Sequence, residues 1–498
     1  MNTQTSLDYG IPVFDNQTVL DFDPSNADPA SALFLSLFAQ LAPLDASISY
    51  GALDTLVEQG GSIHHGPMGQ FNQQIAEAAA VPFARIGFMG TSSVNESALG
   101  HVMPQLTKAG DKSVVLLDSA AHTSLLAAIA ISGQTVVWLN RRYDADLDVQ
   151  NVPTACAIEA ALRLNPAIET VAITSPDYNG CVADIAAISK VCERHKAFLY
   201  VDGAWGVGCG IIEGYPANPV TLGATAASVS FHKKGIGLSQ TSCLYSRNAA
   251  FTTHYDSQSL DHFTTSPSYL ALGFAQVMHT ELTHGEVGDD WARIPDLHKS
   301  LAARTADIHP KIWVLGPQDS GAQTADPSHL LFYLGDIGIS GFDMVSAMAQ
   351  LGYDCEKGTF KTLLILLSPS LLGQEEALIK ALHRSVKTCL NRKMVTNHQT
   401  LRAINPPVLK NSSVTIRNAK RGRSHNVPLK TACGHICAVS IAVYPPGTPI
   451  LAPGSRIETS HLTYLYTMQR MGGHVSGIDM TTEEPVIAVL KPSLSAVP

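Results

Sequence analysis

Between about residue 75 and residue 250 the chain alternates short apolar runs with longer stretches of helical spacing. The runs Ser113–Leu117, Thr135–Leu139, Thr170–Thr174, Phe198–Val201 and Ala226–Phe231 predict buried strands. Their near-continuous apolar character fits strands covered on both faces. Ile158–Leu164 and Ile185–His195 have the three-to-four spacing of amphipathic helices lying between strands. This alternation predicts an α/β fold with a mostly parallel sheet, in which ligands sit beyond the carboxyl ends of the strands. Before residue 75 strict periodicity is weak. A helical pattern spans Ala30–Leu41, a turn falls at Gly60-Gly61, and Gly66-Pro67-Met68-Gly69 closes the segment.

Composition narrows the class. At 498 residues the chain is long enough for two or three domains, and 45% hydrophobic with 15% charged residues describes a compact protein with much buried surface. The net charge of −9 argues against nucleic acid or an anionic membrane as the main partner. The basic cluster Arg417–Arg423 reads as a solvated loop. Met1-Asn2-Thr3-Gln4-Thr5 does not open a signal peptide, and Leu33–Leu44 is too short and interrupted to span a bilayer. Nine cysteines without framework spacing point to free thiols in a reducing cytoplasm. Cys433 and Cys437 flank His435 but lack a second pair, so no metal is expected. His64-His65 read as loop or substrate-pocket residues.

Four polar motifs fall at strand ends. Gly90-Thr91-Ser92-Ser93 opens a helix with N–H groups and hydroxyls that suit a phosphate, though a plain N-cap has the same composition. His122 follows the strand ending near Leu117 and can stack on a flat aromatic ring. Asp202 ends the run Phe198–Val201; a carboxylate there is costly to bury without a partner, and a protonated pyridine nitrogen is one. Capping the next helix is the other reading. Ser230-Phe231-His232-Lys233, followed by Lys234-Gly235, places an amine after a buried strand. Such a lysine suits condensation with an aldehyde, while a solvated lysine pair in a loop is the plain alternative. Together the four follow the order a pyridoxal phosphate site requires.

The chain also resembles the Orn/Lys/Arg decarboxylase family, fold-type-I enzymes of the aspartate aminotransferase superfamily. Ser230-x-His232-Lys233 with Gln240 seven residues on resembles its lysine motif. Gly90-Thr91-Ser92, His122-x-Ser124, Asp202-x-Ala204-Trp205 and Thr264-Thr265-Ser266-x-Ser268-Tyr269 match in order. Tyr444-Pro445-Pro446-Gly447-Thr448-Pro449-Ile450 with Pro453-Gly454 resembles the family's C-terminal hallmark. The resemblance implies an N-terminal segment at a dimer interface (1–75), a large cofactor domain with a seven-stranded-type sheet (76–300), a small α/β domain (301–400) and a C-terminal domain (410–498). It implies that Lys233 carries the cofactor through a Schiff base, and that Ser92, Ser93 and Ser230 hold the phosphate with Gly90 and Thr91. His122 would stack, Asp202 would pair with the ring nitrogen, and Ala204 and Trp205 would shape the ring edge. His232 would sit beside the reacting bond. Thr265 and Ser266 would reach the partner's cofactor in a homodimer with shared sites.

The implied activity is decarboxylation of an amino acid, by family default arginine, lysine or ornithine, to amine plus CO2. Lys233 or His232 would return the proton. Departures qualify the substrate. No Pro-Gly-His-Lys stretch stands near the N-terminus, and Asp177 replaces a usual Thr. Ser455 follows Pro453-Gly454 where the family commonly has a Glu for the distal cation. A neutral hydroxyl forgoes a charge-assisted bond of roughly 1.5–3 kcal/mol. Either Asp177 or Glu458 replaces that Glu, or the substrate is not an ordinary basic amino acid. In the second case the scaffold would perform oxidative decarboxylation, elimination or carbon–carbon bond formation.

Overall fold

The structure, a computed structural model, describes residues 66–234, 237–262, 269–396, 404–412, 414–444, 447–479 and 484–491. The expected helix Ala30–Leu41, His64-His65, Thr264 to Ser268 and Pro445-Pro446 lie outside the described residues.

Seven strands build the central sheet: β1 (Phe83–Gly87), β2 (Val114–Asp118), β3 (Thr135–Leu139), β4 (Ile168–Thr174), β5 (Phe198–Asp202), β6 (Ala226–Ser230) and β7 (Ser242–Ser246). Their order is β1-β7-β6-β5-β4-β2-β3. β3, β2, β4, β5 and β6 run parallel, and β7 pairs antiparallel with both β6 and β1. The sheet is therefore α/β and mostly parallel, as the apolar runs predict. Along β2, Val115 and Leu117 enter one core and Leu116 the other; Tyr200 and its neighbours Leu199 and Val201 divide likewise. Both faces are buried, which is why the runs lack polar alternation. Each such side chain contributes roughly 1.5–3 kcal/mol on burial.

β1 and β7 are not foreseen from the sequence. Arg85 interrupts the apolar character of β1, and its guanidinium pairs with Asp256 at 2.7 Å near the surface. Two further expectations change. The glycine-rich stretch at Gly66 opens a helix, Gly66–Ala78, whose Phe71 and Ile75 enter the core. The basic cluster expected as a loop contains the short helix Ile416–Arg421. Arg417 there donates to the carbonyls of Ala130 and Ile131 near the C-terminus of the helix Thr123–Ser132. A guanidinium satisfies carbonyls that have no helical partner and complements the negative end of the dipole.

A second, antiparallel sheet comprises Trp313–Val314, His329–Tyr333, Thr362–Leu366 and Lys357–Gly358 in that spatial order. It packs with the helix Glu375–Thr396, and Leu330, Phe332, Leu363 and Ile365 on one face join a core with residues of the central sheet, while Leu331, Tyr333 and Leu364 on the other form a separate small cluster. Thr324–Ala325 pairs with Cys181–Val182, tying the two parts together. Beyond residue 404, two three-stranded sheets and the helix Thr459–Arg470 enclose a separate apolar cluster around Ile441, Leu451, Leu465 and Ile487.

All nine cysteines are free thiols. Among the described residues no group of His, Cys, Asp or Glu side chains is placed to hold a metal, and no helix is long and apolar enough to cross a membrane.

Candidate active site

The carboxyl ends of β2, β4, β5 and β6 bring Asp118, Thr174, Asp202 and Ser230 to one edge of the sheet, and a cavity of about 850 Å³ opens above it. Residues from the second sheet and from the C-terminal part complete its walls, including Lys357, Phe360, Tyr444 and Tyr464. Thus the site depends on chain segments more than two hundred residues apart.

Gly90, Thr91 and Ser92 line the cavity at the start of the helix Gly90–Ser97. Gly90 has φ +77°, a conformation open to glycine, and its N–H donates to Gln240 O at 2.7 Å. Gln240 thereby fixes the loop against the segment that carries the lysine motif. Thr91 Oγ is buried without a hydrogen-bond partner, although buried hydroxyls are normally satisfied. Ser93 is not part of the lining; its hydroxyl donates to Met89 O at 2.9 Å.

Asp202 is 2% exposed and accepts from Ala204 N–H at 3.2 Å and from Asn95 Nδ2 at 3.1 Å. Asn95 had no role assigned in the sequence, yet it organises this wall. Its Nδ2 also donates to Ser124 Oγ at 3.0 Å, and its Oδ1 accepts from Tyr200 and Ser228 hydroxyls at 2.7 Å each. Ser124 in turn donates to His122 Nδ1 at 2.9 Å, while Ser124 N–H donates to the same nitrogen. His122 Nδ1 is thus an acceptor and the neutral ring carries its proton on Nε2. Burial lowers the His122 pKa, against the pull of Asp202. Spacing offers one signal for Asn95: four residues after Thr91, it shares that residue's helix face.

β6 ends at Ser230 and the chain tightens into the turn Phe231–Lys234. His232 Nδ1 lies 3.1 Å from Thr241 O and 3.2 Å from Ser230 Oγ, so it donates to the carbonyl. Lys233 Nζ sits 4.4 Å from the centroid of the Trp205 ring. Burial lowers its pKa, with Asp202 and Glu356 opposing. A lowered pKa makes the neutral, nucleophilic amine accessible. Trp205 is held edge-on by Tyr178 at 5.3 Å and by His329 at 5.5 Å.

Beside this set stands a charged cluster of which Asp177 alone is singled out in the sequence. Arg141, 1% exposed in its side chain, pairs with Asp118 and, at 3.1 Å, with Asp177. Asp177 also accepts from Asn179 and Cys181 N–H groups at 2.9 and 3.0 Å. The carboxylate considered for substrate binding is therefore engaged by an arginine. Ser455 does not reach the cavity; its backbone bonds to Ala452 and Cys437, and it lines a separate small cleft. Glu458 is likewise elsewhere, paired with Lys410 at 2.7 Å. Thr265 and Ser266 lie outside the described residues.

A phosphorylated pyridine aldehyde fits these residues. The unpartnered Thr91 hydroxyl and the start of the Gly90 helix suit a phosphate, Asp202 is a buried carboxylate without a described cation, and Lys233 supplies the amine.

Comparison with known proteins agrees. The Orn/Lys/Arg decarboxylase major domain matches residues 22–306, and the C-terminal domain of that family matches residues 395–485. An arginine decarboxylase of Bacillus subtilis is 26% identical over 431 residues, covering 84% of this chain and 85% of its own length. One from Halalkalibacterium halodurans is 26% identical over 456 residues, covering 90% and 89%. The constitutive lysine decarboxylase of E. coli shares the fold with a TM-score of 0.70 at 19% identity, over 93% of this chain and 78% of that one. The chain belongs to the Orn/Lys/Arg decarboxylase family and is a pyridoxal-phosphate-dependent amino-acid decarboxylase of the α/β class.

Proposed function

We propose that the protein decarboxylates a basic amino acid (arginine, lysine or ornithine), with Lys233 as the residue that holds the cofactor. The observation that carries this reading is the convergence of Lys233, Asp202, His122 and the Gly90 loop on one cavity. Gly90, Thr91, Ser92 and Ser230 would hold the phosphate, with the Ser93 N–H nearby on the same helix. His122 would lie against the ring, Asp202 would keep the ring nitrogen protonated, and Ala204 and Trp205 would bound its edge. When bound, pyridoxal phosphate supplies the electron sink for the bond that releases CO2.

The residues then divide the proton work. His232 spends Nδ1–H on Thr241 O, so its neutral ring has no proton on Nε2 to give. Lys233 as an ammonium would have one, and would be the proton donor to Cα. His232 orients the turn and, as imidazolium, can take over that role. Within a homodimer Thr265 and Ser266 would complete the neighbouring site, and the free thiols suit a reducing cytoplasm.

For the cationic end of the substrate, Asp148 is the best-placed carboxylate. It lines the cavity and makes no ion pair among the described residues. It accepts from Tyr143 Oη, from Thr359 Oγ at 2.6 Å and from Lys361 N–H at 2.8 Å. Tyr143, Phe342, Phe360 and Tyr464 line the same cavity and suit a cation.

One observation favours a second reading. Lys357 also lines the cavity, is 8% exposed, and donates to Asn179 Oδ1 at 2.5 Å with no carboxylate within ion-pair distance among the described residues. A buried lysine with no carboxylate in ion-pair contact, its pKa lowered by burial against the pull of Asp177, Asp148 and Glu356, together with Ser455 outside the cavity, suits a substrate with an additional acidic group, or different Cα chemistry in a specialised pathway. The visible spectrum of the holoenzyme during a panel of amino acids, with CO2 and ammonia assayed together, separates the two. A band that responds to arginine, lysine or ornithine with one CO2 per turnover supports the first. A band that ignores all three and responds to another amino acid overturns it.

A further inference from the structure

Lys234, next to the reactive lysine, is not a surface residue. Its side chain is 4% exposed and its Nζ is ion-paired with Asp326, whose side chain is fully buried. Asp326 lies 92 positions further on, in the segment that leads into the second sheet. One of its carboxylate oxygens takes Lys234. The other accepts from Ser328 N–H at 3.0 Å and Ser328 Oγ at 2.6 Å, and lies 3.6 Å from His329 Nδ1. His329 packs edge-on against Trp205, and Lys233 Nζ sits over the Trp205 ring. The contacts close on themselves, from Asp326 to Lys234, to Lys233, to Trp205, to His329 and back to Asp326.

Among the described residues this carboxylate has no ion-pair partner besides Lys234 and His329. Tyr215 lies under Lys234 at 5.4 Å, Cys209 and His298 are further titratable groups facing Asp326, and Asp177 faces His329. Gly180 faces His329, where an added Cβ would meet its ring atoms at 2.6 Å, so the histidine has one place to sit. Burial would raise the Asp326 pKa, yet Lys234 and His329 hold it well below the usual carboxylate range. Asp326 is therefore a fixed negative charge.

A buried ion pair is a poor device for stability alone, because apolar residues of similar volume often do as well. It does fix geometry. We propose that Asp326 is a positioning residue for the reaction: through Lys234 it pins the turn that carries Lys233, and through His329 it pins the ring against which Lys233 rests. The inference rests on Lys233 being the cofactor-holding residue.

The test is the variant Lys234→Met/Asp326→Leu, which removes both charges together, compared with wild type and Lys233→Ala. Measured are the thermal melt, the pyridoxal phosphate dissociation constant, the pH titration of the visible band, and kcat and KM separately. The expected result is a folded double variant whose band titrates at a pH shifted by about half a unit or more. Its kcat should fall ~10-fold or more with KM little changed, because a small misplacement of the reactive group acts on the chemical step. A folded double variant with the wild-type titration, cofactor affinity and kcat overturns the proposal. Where the double variant does not fold, Asp326→Asn, which keeps the shape and removes the charge, is measured for the same shifts, and a wild-type titration again overturns it. Lys233→Ala separates the two levels of inference. If it keeps the wild-type band, the assignment of Lys233 fails; if it loses the band while the double variant keeps it unchanged, only the role of Asp326 fails.

Discussion

Asn95 Nδ2 and the Asp202 carboxylate, 107 positions apart in sequence, share a 3.1 Å hydrogen bond that the Gly90 helix and β5 hold between them. The same amide reaches Ser124, and through it His122, so one side chain supports both the carboxylate and the imidazole of the site. Asn95→Ala should remove the acceptor shared by the buried Tyr200 and Ser228 hydroxyls and leave them only each other, at about 1–3 kcal/mol for a group left unsatisfied. The expected outcome is a lower melting temperature together with weaker cofactor binding. A melt that falls while cofactor affinity holds would confine Asn95 to a packing role.

Replacing Lys233 with Ala should abolish decarboxylation and the visible band of the bound cofactor while the protein stays folded, since Lys233 makes no described ion pair. Asp202→Asn, nearly isosteric, should lower kcat by ~10²-fold or more, as expected when a preorganised charge is lost from a dry site. Steady-state rates measured beside circular dichroism check both. An Asp202→Asn enzyme with near-normal kcat would remove Asp202 from the ring-nitrogen role.

Arg141 joins two buried carboxylates, Asp118 and Asp177. Arg141→Leu leaves both without their ion-pair partner, and breaking one side of a buried pair costs about 3–5 kcal/mol. The variant is expected to melt well below wild type or to accumulate as insoluble protein. Arg141→Leu combined with Asp118→Asn and Asp177→Asn should recover part of the loss, which a thermal melt reads directly.

His279 has a pKa pushed down to about 4 by burial, with His284 adding to the shift. Its Nε2 is buried without a partner, and its ring packs edge-on against Phe71. The unfolded chain, with the ordinary value near 6.5, binds the proton more readily than the fold does. Stability should therefore be complete above about pH 6.5 and fall as the pH drops towards 4, by ~3 kcal/mol from this group. Denaturant titrations across that window check it, and His279→Leu should flatten the slope. A slope unchanged in His279→Leu would assign the acid sensitivity to other groups, such as the half-buried His298 and the buried His329.

The sequence alone determined the α/β class, five of the seven central strands and the order of the cofactor motifs. These are local properties: a strand buried on both faces must be apolar throughout, and a residue at its carboxyl end must lie at the sheet edge where ligands bind. His122, Asp202 and Lys233 could therefore be placed before any coordinates, and Gly90 by its glycine-hydroxyl composition at a helix start. β1 and β7 escaped because Arg85 and the serines at 242 and 246 break the apolar pattern. What tertiary structure decided was partnership. Spacing puts Asn95 on the helix face of Thr91, but no local pattern makes it the hub between Asp202 and His122, or Arg141 the counter-charge of Asp177, or Asp326 the partner of Lys234. Nor does any local pattern keep Ser455 out of the cavity. Whether a charged side chain is solvated, paired or facing a substrate depends on which distant segment packs against it, and that is settled only when the sheets and their connections close around their cores.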